Sequence, residues 1–282
     1  MTQIDFFDRS HSHVILMKYT LSALLLSLSF SAPTWAQDTT GSEPSTTDAT
    51  KTEQPSTGKK MWQEFSNLPI EKRNEFGAKF TKAQNMFNQK RIFDTLEALD
   101  VLDSIFVDHP SVLNLRGACY VEIRAFSKAD VIFKKILKIS PENTNVLFNL
   151  AEIDFVTKKW TSAHKRFEEL IPKLHKNQKS MIRLCEFKLL LCKLKLDKVT
   201  EAKSLMGKYD HWDDSPFYYY ARGAVEYHED KKIEAEKTLR GARFVWRNNQ
   251  VLAPWQDTLI EFGYIRSFYG GDTEDITSGA VE

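Results

Sequence analysis

The sequence predicts an all-α protein built as a solenoid of stacked helix pairs with a capping helix at its C-terminal end. A 34-residue repeat of small and large apolar positions is the main observation. The 282 residues include only 11 Gly and 9 Pro, too few for a sandwich rich in tight turns, and aromatic residues make up 12% and supply apolar surface for a core. These features together favour stacked helices over a sheet.

Each copy of the repeat contains two small residues twelve positions apart, followed four and seven positions later by large apolar ones. Small residues let antiparallel helices approach closely, and large ones fill the space between successive pairs. A fourth copy is offset in phase and ends on a small residue. The four sets are Ala83, Thr95, Leu99, Leu102; Gly117, Ala129, Phe133, Ile136; Ala151, Ala163, Phe167, Leu170; and Gly223, Ala235, Leu239, Ala242.

In these positions the chain resembles the tetratricopeptide repeat (TPR) family. The best copy, residues 113–141, carries the family signature at Gly117, Tyr120, Ala129, Phe133 and Pro141, and a second match covers residues 147–170. The chain departs from the pattern at Met86, Arg116 and Arg222. The resemblance covers most of residues 76–245. It implies a right-handed solenoid in which the first helix of every pair lines a concave groove.

The folded part is expected to extend over residues 61–270. A helix starts at Ile70 after Pro69, and Trp62 and Phe65 pack ahead of it. A closing helix starts at Pro254, and an acidic tail follows it. The predicted boundaries are repeats near 76–109, 110–143, 144–177, a degenerate repeat at 179–210, a repeat at 216–249, the closing helix at 253–269 and the tail at 271–282.

Residues 1–36 are expected to be an export signal, with a start at Met17 as the alternative reading. Lys18 precedes an apolar stretch of about ten residues, too short to span a bilayer, and a small-residue cleavage site ends at Ala36. An uncleaved interfacial anchor is the alternative. Residues 37–60 lack large apolar side chains and predict a disordered Ser/Thr/Pro-rich spacer. We therefore expect a protein of the bacterial periplasm or cell envelope.

No motif for catalysis, a cofactor or a structural metal stands out. Cys185 and Cys192 lie seven residues apart on one predicted helix, too far for a disulfide, and we expect Cys119 to be buried like them. The acidic loop at 210–214 contains His211, but its spacing matches no familiar metal loop. We therefore expect no enzyme, no cofactor and no metal. A formal net charge of +1 argues against nucleic acid as a partner.

By the resemblance, the groove-facing residues are expected at paired positions seven apart on the first helices. The alternative is that these side chains only pack against neighbouring repeats. Lysine and asparagine, which hold a chaperone's free C-terminus in some TPR domains, are replaced here by Phe80, Phe148 and Ala118. The candidate groove residues are Phe80, Phe87, Asn114, Val121, Phe148, Phe155, Tyr220 and Tyr227.

The leading functional hypothesis is a non-enzymatic scaffold that binds an unknown protein or peptide in the cell envelope. A basic stretch at 158–208, with about 14 Lys and Arg against 5 Asp and Glu, supports an alternative. In that alternative the protein binds an anionic envelope polymer or lipid and touches the membrane or cell wall. A third reading is a structural subunit of an envelope complex. The sequence does not indicate an oligomeric state.

Overall fold

The computed structural model describes residues 57–266, which form α-helices and no strand. The predicted export signal, most of the spacer and the acidic tail lie outside the described residues. The helices are α1 (Thr57–Ser66), α2 (Ile70–Asn88), α3 (Ile92–Ile105), α4 (Pro110–Glu122), α5 (Phe126–Ile139), α6 (Thr144–Val156), α7 (Trp160–Leu170), α8 (Lys179–Lys195), α9 (Val199–Met206), α10 (Phe217–His228), α11 (Lys232–Val245) and α12 (Asn249–Phe262).

Helices α2 to α11 form five antiparallel pairs, and the same backbone conformation recurs in the turn inside each pair. One non-glycine residue per turn has a φ of 56–61°, in the left-handed region. Positions 90, 124 and 158 are 34 residues apart, and the next two intervals are 39 and 33. The longer interval includes the 3-10 turn Ile171–Lys173 between α7 and α8. The five residues are Lys90, Arg124, Lys158, Asp197 and Asp230.

The small residues of the repeat lie where the two helices of a pair cross. A Cβ built on Gly117 would stand 2.5 Å from Cε1 of Phe133, and one on Gly223 would stand 3.1 Å from Cδ2 of Leu239. Tyr120 is partly buried in the same core. The other small positions are fully buried as well and hold Thr95 and the alanines Ala83, Ala129, Ala151, Ala163 and Ala235. An all-α solenoid of close-packed pairs is therefore the architecture of residues 70–245.

Helix α1 closes the N-terminal end of the core, although part of it falls in the predicted spacer. It begins at Thr57, so residues 57–60 are helical rather than disordered. Phe65 lies 5.1 Å from Phe76 and 5.2 Å from Phe106, between ring centroids, and the ring of His109 is 4.8 Å from Phe65. These apolar contacts stabilise α1, which the polar residues before Trp62 could not stabilise by themselves.

The last helix differs in position from the predicted closing helix. It spans Asn249–Phe262, and the side chain of Asn248 caps it by accepting a 2.9 Å hydrogen bond from the Gln250 amide. Pro254 therefore lies inside the helix rather than at its start. Gly263, with a φ of 92°, ends it in the left-handed conformation, which glycine adopts without a Cβ clash.

Between residues 57 and 266, no helix combines the length and the apolar character needed to cross a membrane.

Candidate protein-binding groove

Helix α12 packs against the first helices of the last three pairs, α6, α8 and α10. Its central anchor is Trp255, whose ring lies 5.3 Å from Phe187 on α8. The same ring lies 5.8 Å from Tyr220 and 6.4 Å from Phe217, both on α10. Because three first helices contact one helix, they present side chains on a common face. We call this face of α6, α8 and α10 the inner groove.

The C-terminal end of α12 reaches α6. The ring of Phe262 stacks on Phe155 at 6.1 Å and meets Trp160 edge-on at 5.4 Å. Just beyond the helix, Tyr264 stacks on Tyr227 at 5.4 Å. The helix therefore crosses the whole inner groove rather than closing only the end of the solenoid.

A buried ion pair lies beneath α12. Lys188 Nζ is 3.0 Å from Glu152 Oε1 and donates a 2.8 Å hydrogen bond to Thr258 Oγ1 on α12. Lys188 is 1% exposed and Glu152 is 3% exposed, and burial raises the pKa of the Glu152 carboxyl. The free energy needed to remove both charges from water offsets much of their mutual attraction. The pair therefore contributes mainly to the specific packing of α6 against α8. The hydrogen bond to Thr258 adds α12 to the same specific arrangement.

Two further charged contacts lie at the edge of the groove. Arg124, in the turn after α4, lies 2.9 Å from Glu261 of α12, a contact that joins residues 137 positions apart. The ammonium of Lys195 lies 4.7 Å from the ring centroid of Phe262. Both cations face α12, so the edge of the inner groove is basic.

Asp257 is the poorly accommodated carboxylate of α12. Burial raises the pKa of its carboxyl to about 6; the Lys188 ammonium opposes this rise, and the Glu261 carboxylate adds to it. No group within residues 57–266 donates a hydrogen bond to its carboxylate, in contrast to Glu261 and Thr258, which accept hydrogen bonds from Arg124 and Lys188. A negative charge at this position therefore weakens the docking of α12.

The candidate groove residues in the C-terminal half are largely buried. Phe148, Phe155 and Tyr220 are 0–2% exposed, and Tyr227 is partly buried. Helix α12 covers Phe155 and Tyr220, and Tyr264 just beyond it stacks on Tyr227, whereas Phe148 packs on Phe167 at 6.4 Å. Three of these four positions, which were expected to face an open groove, are therefore covered by the chain's own C-terminal segment.

The candidate residues of the N-terminal half are not covered by α12. Phe87 and Asn114 are buried at 6% and 8% exposure, and the Asn114 Oδ1 atom has no hydrogen-bond partner in the described part of the chain. Phe80 is partly buried and stacks on Phe76 at 6.4 Å. Val121 is also partly buried. In this half, partial exposure is therefore found at Phe80 and Val121.

Helix α12 was not predicted to occupy the groove, and Phe187, Lys188 and Glu152 were not predicted to line it. A signal for α12 was present, since Trp255, Leu259 and Phe262 are spaced four and three residues apart and so lie on one helical face. The signal for Lys188 was a lone cation in the middle of an apolar helix, where burial calls for a partner.

The other candidates for chemistry have structural roles. The three cysteines are free and buried; burial raises the pKa of the Cys119 and Cys192 thiols to about 12 and raises that of Cys185 further. In the acidic loop, Asp213 accepts hydrogen bonds from Arg183 at 3.0–3.3 Å and from Ser215. Among the residues that the structure describes, no three His, Cys, Asp or Glu side chains group as a metal site.

A comparison with protein-family models finds no match for this chain, and a comparison with curated proteins finds none either. Among solved structures, the chain is similar to YrrB, described as a TPR protein with an unusual peptide-binding site. The identity is 14%, the match covers 71% of this chain and 98% of that chain, and the TM-score is 0.45. The assignment to an all-α solenoid rests on the five helix pairs and their backbone period.

Proposed function

We propose that this protein is a non-enzymatic scaffold that binds a protein or peptide through the inner face of its solenoid. The observation that carries the proposal is that this face already holds a helix. Trp255, Leu259 and Phe262 of α12 are 4%, 0% and 5% exposed against it. A surface that buries three large side chains of one helix has the shape and the apolar area that helix-in-groove recognition needs.

We further propose that the protein is exported and works in a bacterial cell envelope. This part of the proposal rests on the sequence of residues 17–36, which has the charge, apolar length and small-residue end of an export signal. The Ser/Thr/Pro-rich residues after it would then separate the solenoid from the point of attachment or release.

The test is affinity enrichment from the envelope with the full chain as bait and two charge-reversed variants. Lys195→Glu changes the edge of the inner groove, where the ammonium faces Phe262. Lys165→Glu is the matched control, because Lys165 is an exposed lysine on the outer helix α7. We expect a protein partner to be captured by the parent and by Lys165→Glu and to be reduced by Lys195→Glu.

Two results would contradict the proposal. One is enrichment of nothing above background by the parent chain. The other is equal capture by all three baits, which would place the binding surface outside the inner face.

The basic stretch at 158–208 supports the polymer or lipid alternative less well than its composition suggests. Most of its cations lie within 4.0 Å of a carboxylate, and surface pairs of this kind reduce the net positive field. The paired residues are Lys159, Lys165, Arg166, Lys173, Arg183, Lys188, Lys193, Lys198, Lys203 and Lys208.

A further inference from the structure

We propose that α12 is a resident occupant of the inner groove and that the external partner replaces it with an amphipathic helix of the same chemistry. Such a helix carries large apolar side chains at positions i, i+4 and i+7 and an acidic residue near the last of them. This inference rests on the proposed function, because it specifies the kind of ligand that the inner face takes.

The anchor spacing follows from what α12 places in the groove. Positions 255, 259 and 262 lie on one side of the helix and point at the rings and aliphatic side chains of α6, α8 and α10. Burying each of these side chains contributes roughly 1.5–3 kcal/mol. A ligand without these three apolar side chains would leave the aromatic rings of the inner groove exposed to water. The groove therefore favours ligands that carry all three.

The charge preference follows from the cations around the groove. Arg124 pairs with the carboxylate of Glu261, and Lys195 lies over the ring of Phe262 and 6.0 Å from that of Tyr264. The buried Lys188 is paired with Glu152 of α6, whereas the carboxylate that pairs with Arg124 comes from α12 itself, so release of α12 would leave Arg124 without it. An acidic residue near the last apolar position, opposite Arg124 and Lys195, therefore fits this groove better than a basic one.

Three features of α12 make it replaceable. Asp257 is partly buried and accepts no hydrogen bond from residues 57–266, so the helix does not fit its own groove optimally. Pro254 lacks an N–H and removes one bond from the helix interior. Only residues 246–248 connect α12 to α11, and Trp246 and Asn248 are already extended. Release of α12 would leave every helix pair of the solenoid intact.

The test uses a fluorescently labelled synthetic peptide of residues 249–266 and measures its anisotropy with the full chain and its variants. Phe262→Ala in the chain removes the stacking on Phe155 and raises the open fraction of the groove. We expect the peptide to bind this variant at least about tenfold more tightly than the parent. A peptide carrying Trp255→Ala and Leu259→Ala is the control and should not bind saturably.

The Asp257→Asn substitution has opposite effects in the two chains. In the protein it removes the desolvated charge, strengthens the resident helix and should weaken peptide binding at least about threefold. In the peptide the same change should strengthen binding. Effects of the same sign in both would overturn the proposal, because they would show that peptide and α12 do not compete for one groove.

Hydrogen exchange on the parent chain gives a second measurement that needs no variant. We expect the amides of α12 to exchange through an opening that leaves α8 protected. Exchange of α12 only together with α8, or no saturable binding of the peptide to a folded Phe262→Ala chain, would overturn the proposal. Either result would leave the enrichment experiment unaffected, because that experiment scores a captured protein rather than exchange of α12.

Discussion

Gly117 shows how a single small residue sets the distance between two helices. A Cβ at this position would stand 2.5–3.0 Å from three ring atoms of Phe133, a residue that is 0% exposed and has no free space to move into. We expect Gly117→Ala to destabilise the fold by about 1–3 kcal/mol in chemical denaturation. Gly77→Ala on α2 is the matched control.

At Gly77 a Cβ would meet no atom within 4 Å, and the site is an exposed helix interior. There the change to alanine should stabilise by up to about 1 kcal/mol, because only helix propensity is affected. Equal effects at the two glycines would contradict the packing role given to Gly117.

His109 is a buried histidine among aromatic rings. Because its burial disfavours the protonated form, we expect the protein to lose stability in acid. Its ring lies 4.8–6.1 Å from the rings of Trp62, Phe65, Phe76 and Phe106, and burial lowers its pKa from 6.5 to about 4. The unfolded state therefore binds the proton more tightly. The contribution of His109 to the free energy of unfolding should be fully present above pH 6.5. It should fall by about 3 kcal/mol as the pH decreases to 4.

The check is urea denaturation at several pH values for the parent and for His109→Asn. Asparagine does not titrate and can still cap α4, as His109 does by accepting a 3.2 Å hydrogen bond from the Ser111 amide. We expect the pH dependence between 6.5 and 4 to be smaller in the variant. An unchanged dependence would assign it to other groups.

At the scale of an element, α12 should respond to pH in the opposite sense. The pKa of Asp257 is raised to about 6, with Lys188 lowering it and Glu261 raising it, while Tyr220 of α10 lies close enough for Asp257 to affect its hydroxyl. The folded state therefore holds this proton more tightly than the unfolded state. The contribution of Asp257 to α12 docking is present at low pH and is lost as the pH rises through 6.

Hydrogen exchange of α12 amides at pH 5 and pH 7.5, corrected for intrinsic rates, measures this effect. We expect lower protection of α12 relative to α8 at the higher pH, and we expect Asp257→Asn to remove the difference. Protection that is independent of pH in the parent would contradict the role given to Asp257.

The pairing of helices could be predicted from sequence because it depends on local periodicity. Small residues at Ala83, Gly117 and Ala151 fix both the period and the crossing points, and the turns at 90, 124 and 158 repeat with the same interval. The place of α12 could not be predicted in this way. Its polar contacts with Lys188 and Arg124 join residues 70 and 137 positions apart, and no repeat rule connects them.

The predicted bounds of the closing helix, 253–269, differ from the observed Asn249–Phe262 for a local reason. Proline often begins a helix, which favoured a start at Pro254, and paired glycines favoured a stop at 270–271. The side-chain cap of Asn248 and the left-handed Gly263 act earlier in each case. A spacing of seven predicts that the aromatic residues of α6 or of α10 share one face of their helix, but periodicity does not reveal whether another segment covers that face.

In the whole molecule, α12 fills the inner groove that the repeats create. The measurement that tests this most directly is a double-mutant cycle on the stacked rings of Phe155 and Phe262, 107 positions apart in the chain. Phe155→Leu, Phe262→Leu and the double variant are compared by urea denaturation. We predict a coupling free energy of about 0.5–1.5 kcal/mol. Additive effects of the two substitutions would contradict the account, because they would show that α12 does not rest on α6.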